Sequence, residues 1–103
     1  MADLAPEIMQ EHATQAVDLL KSMANQSRLM ILCLLGGGEM TVSEINQAVP
    51  ISQSALSQHL AALRKADLVA TRKVAQTIYY RLNGDSTVRI ISVLQSIYCP
   101  TPQ

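Results

Sequence analysis

Thr41-Val42-Ser43-Glu44-Ile45 and Ser52-Gln53-Ser54-Ala55-Leu56-Ser57-Gln58-His59-Leu60 are the stretches whose reading decides the fold. Thr41 as an N-cap puts Glu44 at the third helical position, a capping box, and sets Met40 against Ile45 as a hydrophobic staple. Pro50 ends that element. Ser52 caps the next helix, with Ile51 stapled to Leu56, and the pattern runs to about Ala66. Leu56, Leu60 and Leu63 fall on one side of it. Gln53, Ser54, Ser57, Gln58 and Arg64 fall on the other. Two helices with so short a connection predict a helix-turn-helix.

Downstream, the pattern becomes extended from Leu68. Thr77-Ile78-Tyr79-Tyr80-Arg81-Leu82 alternates, with Ile78, Tyr80 and Leu82 facing one way. Paired with 68–73 through a Val74-Ala75-Gln76 turn, it predicts a hairpin wing that carries Arg72, Lys73, Gln76 and Arg81. Asn83-Gly84-Asp85 is a break and cap. A last helix from about Ser86 to Tyr98 carries Val88, Ile91, Leu94 and Ile97, and Pro100 and Pro102 end it. Upstream, 7–24 reads as a helix with Ile8, Ala16, Leu19, Leu20 and Met23 at helical spacing. Asn25 breaks it and caps a second helix through about Leu35. The run 29–35 is apolar all round, and periodicity alone does not separate a buried strand from a buried helix there. Its Leu and Met content favours a helix at the centre of the fold, stopped by Gly36-Gly37-Gly38. The expected fold is mostly α with a β-hairpin wing, in the order α-α-α-α-β-β-α, as one domain over 1–103.

A chain of 103 residues is a single small domain, for which association with a second copy is a natural source of extra core. Hydrophobic residues make up 49% and neither Trp nor Phe occurs, so the core is aliphatic. No apolar run approaches the ~20 residues that span a bilayer. The first residues hold Asp3, Glu7 and Glu11 and no basic stretch, so no secretory signal and no membrane partner is expected and the default location is the cytoplasm. Net charge is zero, yet it is unevenly spread. Residues 1–51 carry two bases against six acids, whereas 52–81 carry five bases against the lone Asp67. Phosphate attraction follows the face presented rather than the sum.

A helix-turn-helix followed by a basic hairpin is what a protein needs to lay one helix in a DNA groove and clamp the backbone beside it. Ser52, Gln53, Ser54, Ser57 and Gln58 are the candidate readers. Gln pairs with adenine edges and Ser donates to a base or a phosphate; the alternative is an ordinary solvated face. His59 has two readings, a phosphate contact or a packing role beside Leu60. Arg72, Lys73, Gln76 and Arg81 are candidate backbone contacts, with Arg72 or Lys73 entering the minor groove, against the alternative that a charged hairpin is merely a soluble one. Arg64 and Lys65, at the end of that helix, are candidate DNA contacts or else simply cations that offset the helix dipole. His12 reads as a surface or interface residue. No Ser-His-Asp or Cys-His arrangement, phosphate-cradling Gly loop or paired-carboxylate cleft occurs, so no catalytic residue and no cofactor is expected.

Leu19-Leu20-Lys21-Ser22-Met23-Ala24-Asn25, Arg28-Leu29, Leu56-Ser57-Gln58-His59-Leu60 and Leu68-Val69 together resemble the ArsR/SmtB family of winged helix-turn-helix repressors. The resemblance implies a homodimer joined through its first and last helices and an imperfect palindrome of operator DNA as partner. Many members of that family sense metals. One of their sites needs cysteines in the first helix of the helix-turn-helix, where this chain has Val42-Ser43-Glu44-Ile45. The other needs an Asp and His pair on the last helix, where Asp85 stands without a His in 86–98. Zinc wants about four converging ligands, so no metal is expected at either family site. Cys33 and Cys99 instead resemble the dithiol branch, which contains the BigR-, SqrR- and YgaV-type persulfide sensors and the HlyU-type regulators. That branch implies a Cys33–Cys99 redox switch, with a reactive sulfur species or oxidant as inducer. Cys33 also reads as a plain buried residue among aliphatic neighbours. Three further readings stay open: a constitutive regulator or anti-repressor without thiol sensing, a metal-responsive repressor with an unconventional site from Cys33, His12 or Cys99, and a thiol redox enzyme, which lacks a C-x-x-C pair.

Overall fold

Asn25 lies in extended backbone, and its side-chain oxygen accepts the Arg28 N–H at 3.0 Å, so the apolar segment begins as a helix where its cap dictates. The structure is a computed structural model and describes residues 5–98. Its elements run α1 (Pro6–Met23), α2 (Gln26–Leu35), β1 (Met40–Thr41), α3 (Val42–Ala48), α4 (Gln53–Lys65), β2 (Val69–Val74), β3 (Thr77–Leu82) and α5 (Asp85–Tyr98). Cys99 and the terminal prolines, with the helix stop assigned to them, lie outside the described residues.

The capping box at Thr41 forms as the spacing requires. The Thr41 hydroxyl accepts the Glu44 N–H at 3.2 Å, and the Glu44 carboxylate accepts the Thr41 N–H at 2.8 Å. Ser52 caps α4 in the same way, its Oγ accepting the Ala55 N–H at 3.0 Å. Asn46 ties the connection between α3 and α4, donating to the Ile51 carbonyl at 3.0 Å.

The wing differs from expectation in two respects. A third strand, β1, pairs antiparallel with β3, placing Met40 opposite Tyr80 and Thr41 opposite Tyr79, so the sheet order is β1-β3-β2. Two residues are too few to show an alternation. The N-cap geometry of Thr41 already leaves the chain extended there, and the free edge of β3 supplies the partner. The turn is also tighter than a Val74-Ala75-Gln76 loop, because Val74 pairs with Thr77. Ala75 must then take a left-handed φ of 55°, a conformation that costs a residue with a Cβ about 1–2 kcal/mol.

α2 lies in the middle and packs against α4, α5 and β3. Ile31, Leu32 and Leu35 from α2 meet Ile45, Val49, Leu56, Leu60, Leu63, Leu68, Val69 and Ile91 in one aliphatic core. Each such side chain contributes about 1.5–3 kcal/mol by leaving water. The central helix is not covered all round, however: Met30 is exposed and Leu29 and Cys33 are half-buried, since no further element among the described residues covers them. In β3, Tyr80 and Leu82 pack on the core, but Ile78, on the same face, extends past it towards the wing tip and is exposed.

α5 is tied to α2 by a side chain. Gln95 donates from Nε2 to the Cys33 carbonyl at 2.8 Å, satisfying an acceptor in the last turn of α2. Gly36 makes room for it: a Cβ there would stand 2.6 Å from that nitrogen. The outer sides of the terminal helices stay apolar and uncovered, with Ile8, Met9, Val17 and Leu20 on α1 and Val88, Val93 and Ile97 on α5. Among the described residues, no helix is long and apolar enough to cross a membrane.

Candidate nucleic-acid interface

α4 buries Leu56, Leu60 and Leu63 completely and presents Gln53, Ser54, Ser57 and Gln58 to solvent. Helical geometry puts Ser54, Gln58, Ala61 and Lys65 on the side opposite the leucine stripe, with Gln53, Ser57 and Arg64 flanking them. The reader residues therefore share one continuous outward face. Ser52 starts that face but spends its oxygen lone pair on the helix cap, leaving its hydroxyl proton to donate outward.

His59 is half-buried, and its Nδ1 accepts from Arg28 Nε at 3.2 Å. This contact joins the side of α4 to the first turn of α2. The contact brings in Arg28, which sequence spacing gave no reason to connect, and it leaves the phosphate reading of His59 open.

The cations of the wing divide between its two faces. In the β2–β3 register Arg72 stands opposite Tyr79 and Ala70 opposite Arg81, so Arg72, Tyr79 and Arg81 share a face. Lys73, opposite Ile78, lies on the other. Arg72, Lys73, Gln76 and Arg81 are all exposed.

Arg72 is engaged within the chain. Its Nε donates to both carboxylate oxygens of Glu39, at 2.8 and 2.9 Å, and its guanidinium lies 4.6 Å from the centroid of the Tyr79 ring. The hydrogen bond from Arg72, with the charges of Arg72 and Arg81 adding to it against some desolvation, holds the Glu39 carboxyl below its usual range. The same bond raises the Arg72 guanidinium above its ordinary value. Glu39 belongs to the acidic half of the sequence, and only the unforeseen strand β1 carries it to the wing.

α3 contributes residues that the sequence reading passed over. Ser43 and Gln47 line a cleft of about 600 Å³ with Val42, Asn46 and the reader Gln53. Ser43 also lines a second cleft of about 300 Å³ with Thr41, Gln76, Thr77 and Ile78 from the wing tip. The start of α3 thus lies between reader helix and wing. The signal for it was a polar, exposed face on the first helix of the pair.

Cys33 borders an apolar cleft of about 270 Å³ with Gln26, Leu29, Met30, Leu94 and Tyr98. Among the described residues no three of His, Cys, Asp and Glu converge as a metal site would require.

A polar helix exposed on a leucine-anchored helix-turn-helix, beside a three-stranded wing, defines a winged-helix DNA-binding domain. Comparison with known proteins narrows that class. Residues 25–71 match the family described as bacterial regulatory protein, arsR family. The chain is 47% identical over 95 residues to the transcriptional activator HlyU of Vibrio cholerae, covering 92% of this chain and 88% of that protein. It is 43% identical over 91 residues to the biofilm growth-associated repressor of Agrobacterium fabrum, covering 88% and 78%. The structure of reduced HlyU from Vibrio cholerae N16961 superposes with a TM-score of 0.87 at 47% identity, covering 90% of this chain and 98% of that one. The chain belongs to the ArsR family of DNA-binding transcriptional regulators, which are not enzymes.

Proposed function

We propose that the protein is a homodimeric repressor that binds an imperfect palindrome and is released from it by reactive sulfur species or oxidants acting on Cys33 and Cys99. The observation that carries the DNA-binding part is the mostly polar, exposed face of α4 opposite a fully buried leucine stripe. Gln53, Ser54, Ser57 and Gln58 read base edges in the major groove, while Arg64, Lys73, Gln76 and Arg81 lie along phosphates. Pairing two copies through the apolar faces of α1 and α5 removes Val17, Leu20, Val93 and Ile97 from water. It also sets two reader helices about 34–36 Å apart for successive major grooves.

The sensing part is supported by the likeness to a thiol-bearing branch of the family and by the position of Cys33. That thiol borders a cleft whose far wall is Tyr98, the residue before Cys99 in sequence. Joining the two sulfurs, directly or through added sulfur atoms, fastens the end of α5 to α2. Because α5 also builds the dimer face, a small shift there re-aims both readers. A 10- to 100-fold loss of DNA affinity needs only about 1.4–2.8 kcal/mol between the two states. The test pairs intact mass with DNA affinity on the same samples after persulfide or peroxide treatment. Cys33→Ser and Cys99→Ser are expected to bind DNA as before and to ignore the inducer. Release of DNA from the Cys99→Ser protein would end the dithiol account.

A second reading, favoured by the likeness to an activator, keeps the DNA contact and drops the sensing. There the protein acts by displacing another DNA-binding protein, and its affinity is equal with thiols reduced and oxidised.

A further inference from the structure

Three contacts fix the position of Arg72, two of them made by Nε and one by the face of the guanidinium. Nε, the inner N–H, donates to both oxygens of Glu39. One face of the plane lies over the Tyr79 ring. The terminal Nη1 and Nη2 groups have no partner among the described residues, and the side chain remains half-exposed. What is left open is the outer edge of a planar fork.

Glu39 reaches this position by backbone design. Gly38 has φ 132°, a conformation that side chains with a Cβ rarely adopt, and it turns the chain out of the glycine run into β1. The β1–β3 register then continues to set position 39 beside Arg81, on the face that Arg72 shares. Glu39 is the more buried partner, its side chain 29% exposed against 50% for Arg72. The carboxylate therefore leaves half of the Arg72 side chain open to solvent.

We infer that Glu39 and Tyr79 hold Arg72 as a fixed two-pronged donor, and that this fork is a specificity-determining contact of the wing with base edges of duplex DNA. Glu39 is its positioning residue. The inference rests on the DNA-binding reading above. Its reasoning is electrostatic and entropic. A guanidinium paired with a carboxylate has most of its long-range field cancelled, so it gains little from neutralising phosphate. Its outer N–H groups keep their direction, and directed donors discriminate where bare charge does not. The freedom that a long side chain normally loses on binding has already been lost on folding. Arg81 feels the Glu39 charge but shares no hydrogen bond with it, and Lys73 lies on the other face, so both remain ordinary counter-charges.

The experiment uses the whole chain and two duplexes, one recovered by the wild-type protein from a random-sequence library and one a scramble of equal composition, titrated over a range of salt. Arg72→Lys keeps the charge but has no planar fork. It is expected to lose about tenfold of the preference for the selected duplex while the salt slope stays as in wild type. Glu39→Ala adds net positive charge at the wing, so binding to the scrambled duplex tightens and the salt slope steepens, yet the preference falls as for Arg72→Lys. Adding Glu39→Ala to Arg72→Ala changes the preference no further. Full preference in Arg72→Lys overturns the inference, as does Glu39→Ala tightening both duplexes equally, which makes Glu39 a mere screen. If Glu39→Ala does not fold, Arg72→Lys decides alone. A wild-type protein with no preferred duplex would overturn the DNA-binding reading itself, a result distinguishable from either.

Discussion

α4 and α5 are amphipathic helices of nearly the same length, and each buries an aliphatic stripe in the same core, but their outer faces differ in kind. On α4 the exposed positions are Gln53, Ser54, Ser57 and Gln58; on α5 they include Val88, Val93 and Ile97. A polar face is at rest in water and offers directional donors and acceptors to a ligand. An apolar face costs free energy until something covers it, at about 25 cal/mol per Å². On the proposed reading the first meets a partner whose edges are read one hydrogen bond at a time, and the second meets an apolar partner, a second copy of this chain.

The most forceful way to break this contrast is to make α5 resemble α4. Val93→Asp is expected to turn the dimer into monomers in sedimentation and to lower DNA affinity about 100-fold or more, because each half-site then binds without its linked neighbour. An unchanged mass would show that α5 is not the dimer face. The converse test strips the readers: Gln53→Ala and Gln58→Ala each cost about 1–3 kcal/mol of operator binding, with little change in its salt dependence and none in dimer mass. Smaller again is the loss of one wing counter-charge. Lys73→Ala should weaken binding to all duplexes alike and lower the salt slope by about one.

Two finer effects sharpen the picture of the wing. The Glu39 carboxyl is held below its unfolded value, so its pairing with Arg72 is present at neutral pH and is lost as pH falls through the acidic carboxylate range. Acid titration followed by the NMR shift of the Arg72 Nε–H is expected to show that loss, and Glu39→Gln to remove the titration. At the turn, Ala75→Gly relieves the left-handed strain and raises the unfolding midpoint by at most a few degrees, within about 1 kcal/mol. A lowered midpoint would mean that the hairpin does not depend on that conformation.

Much of the helix-turn-helix, and with it the face offered as the candidate site, was legible in the sequence because it is written locally. Thr41 with Glu44, Ser52 with its staple, and the leucine spacing of α4 each act within a turn or two of the chain. The rest is non-local. Strand β1 is two residues long and exists only because β3 has a free edge, so nothing around Met40 announces it. Glu39 counts as one more acid in an acidic half until that strand sets it beside Arg72. His59 gains a partner in Arg28 only because α2 packs against α4.

The amino-acid order by itself determined where helices begin and end, which helix carries a polar outer face, and that a basic hairpin follows it, since caps, turns and periodicity are short-range effects. Only the tertiary structure decided which cation is free and which is held, what braces the reader helix, and which apolar faces are left open. Those depend on distances between residues far apart in the chain, and packing alone sets such distances.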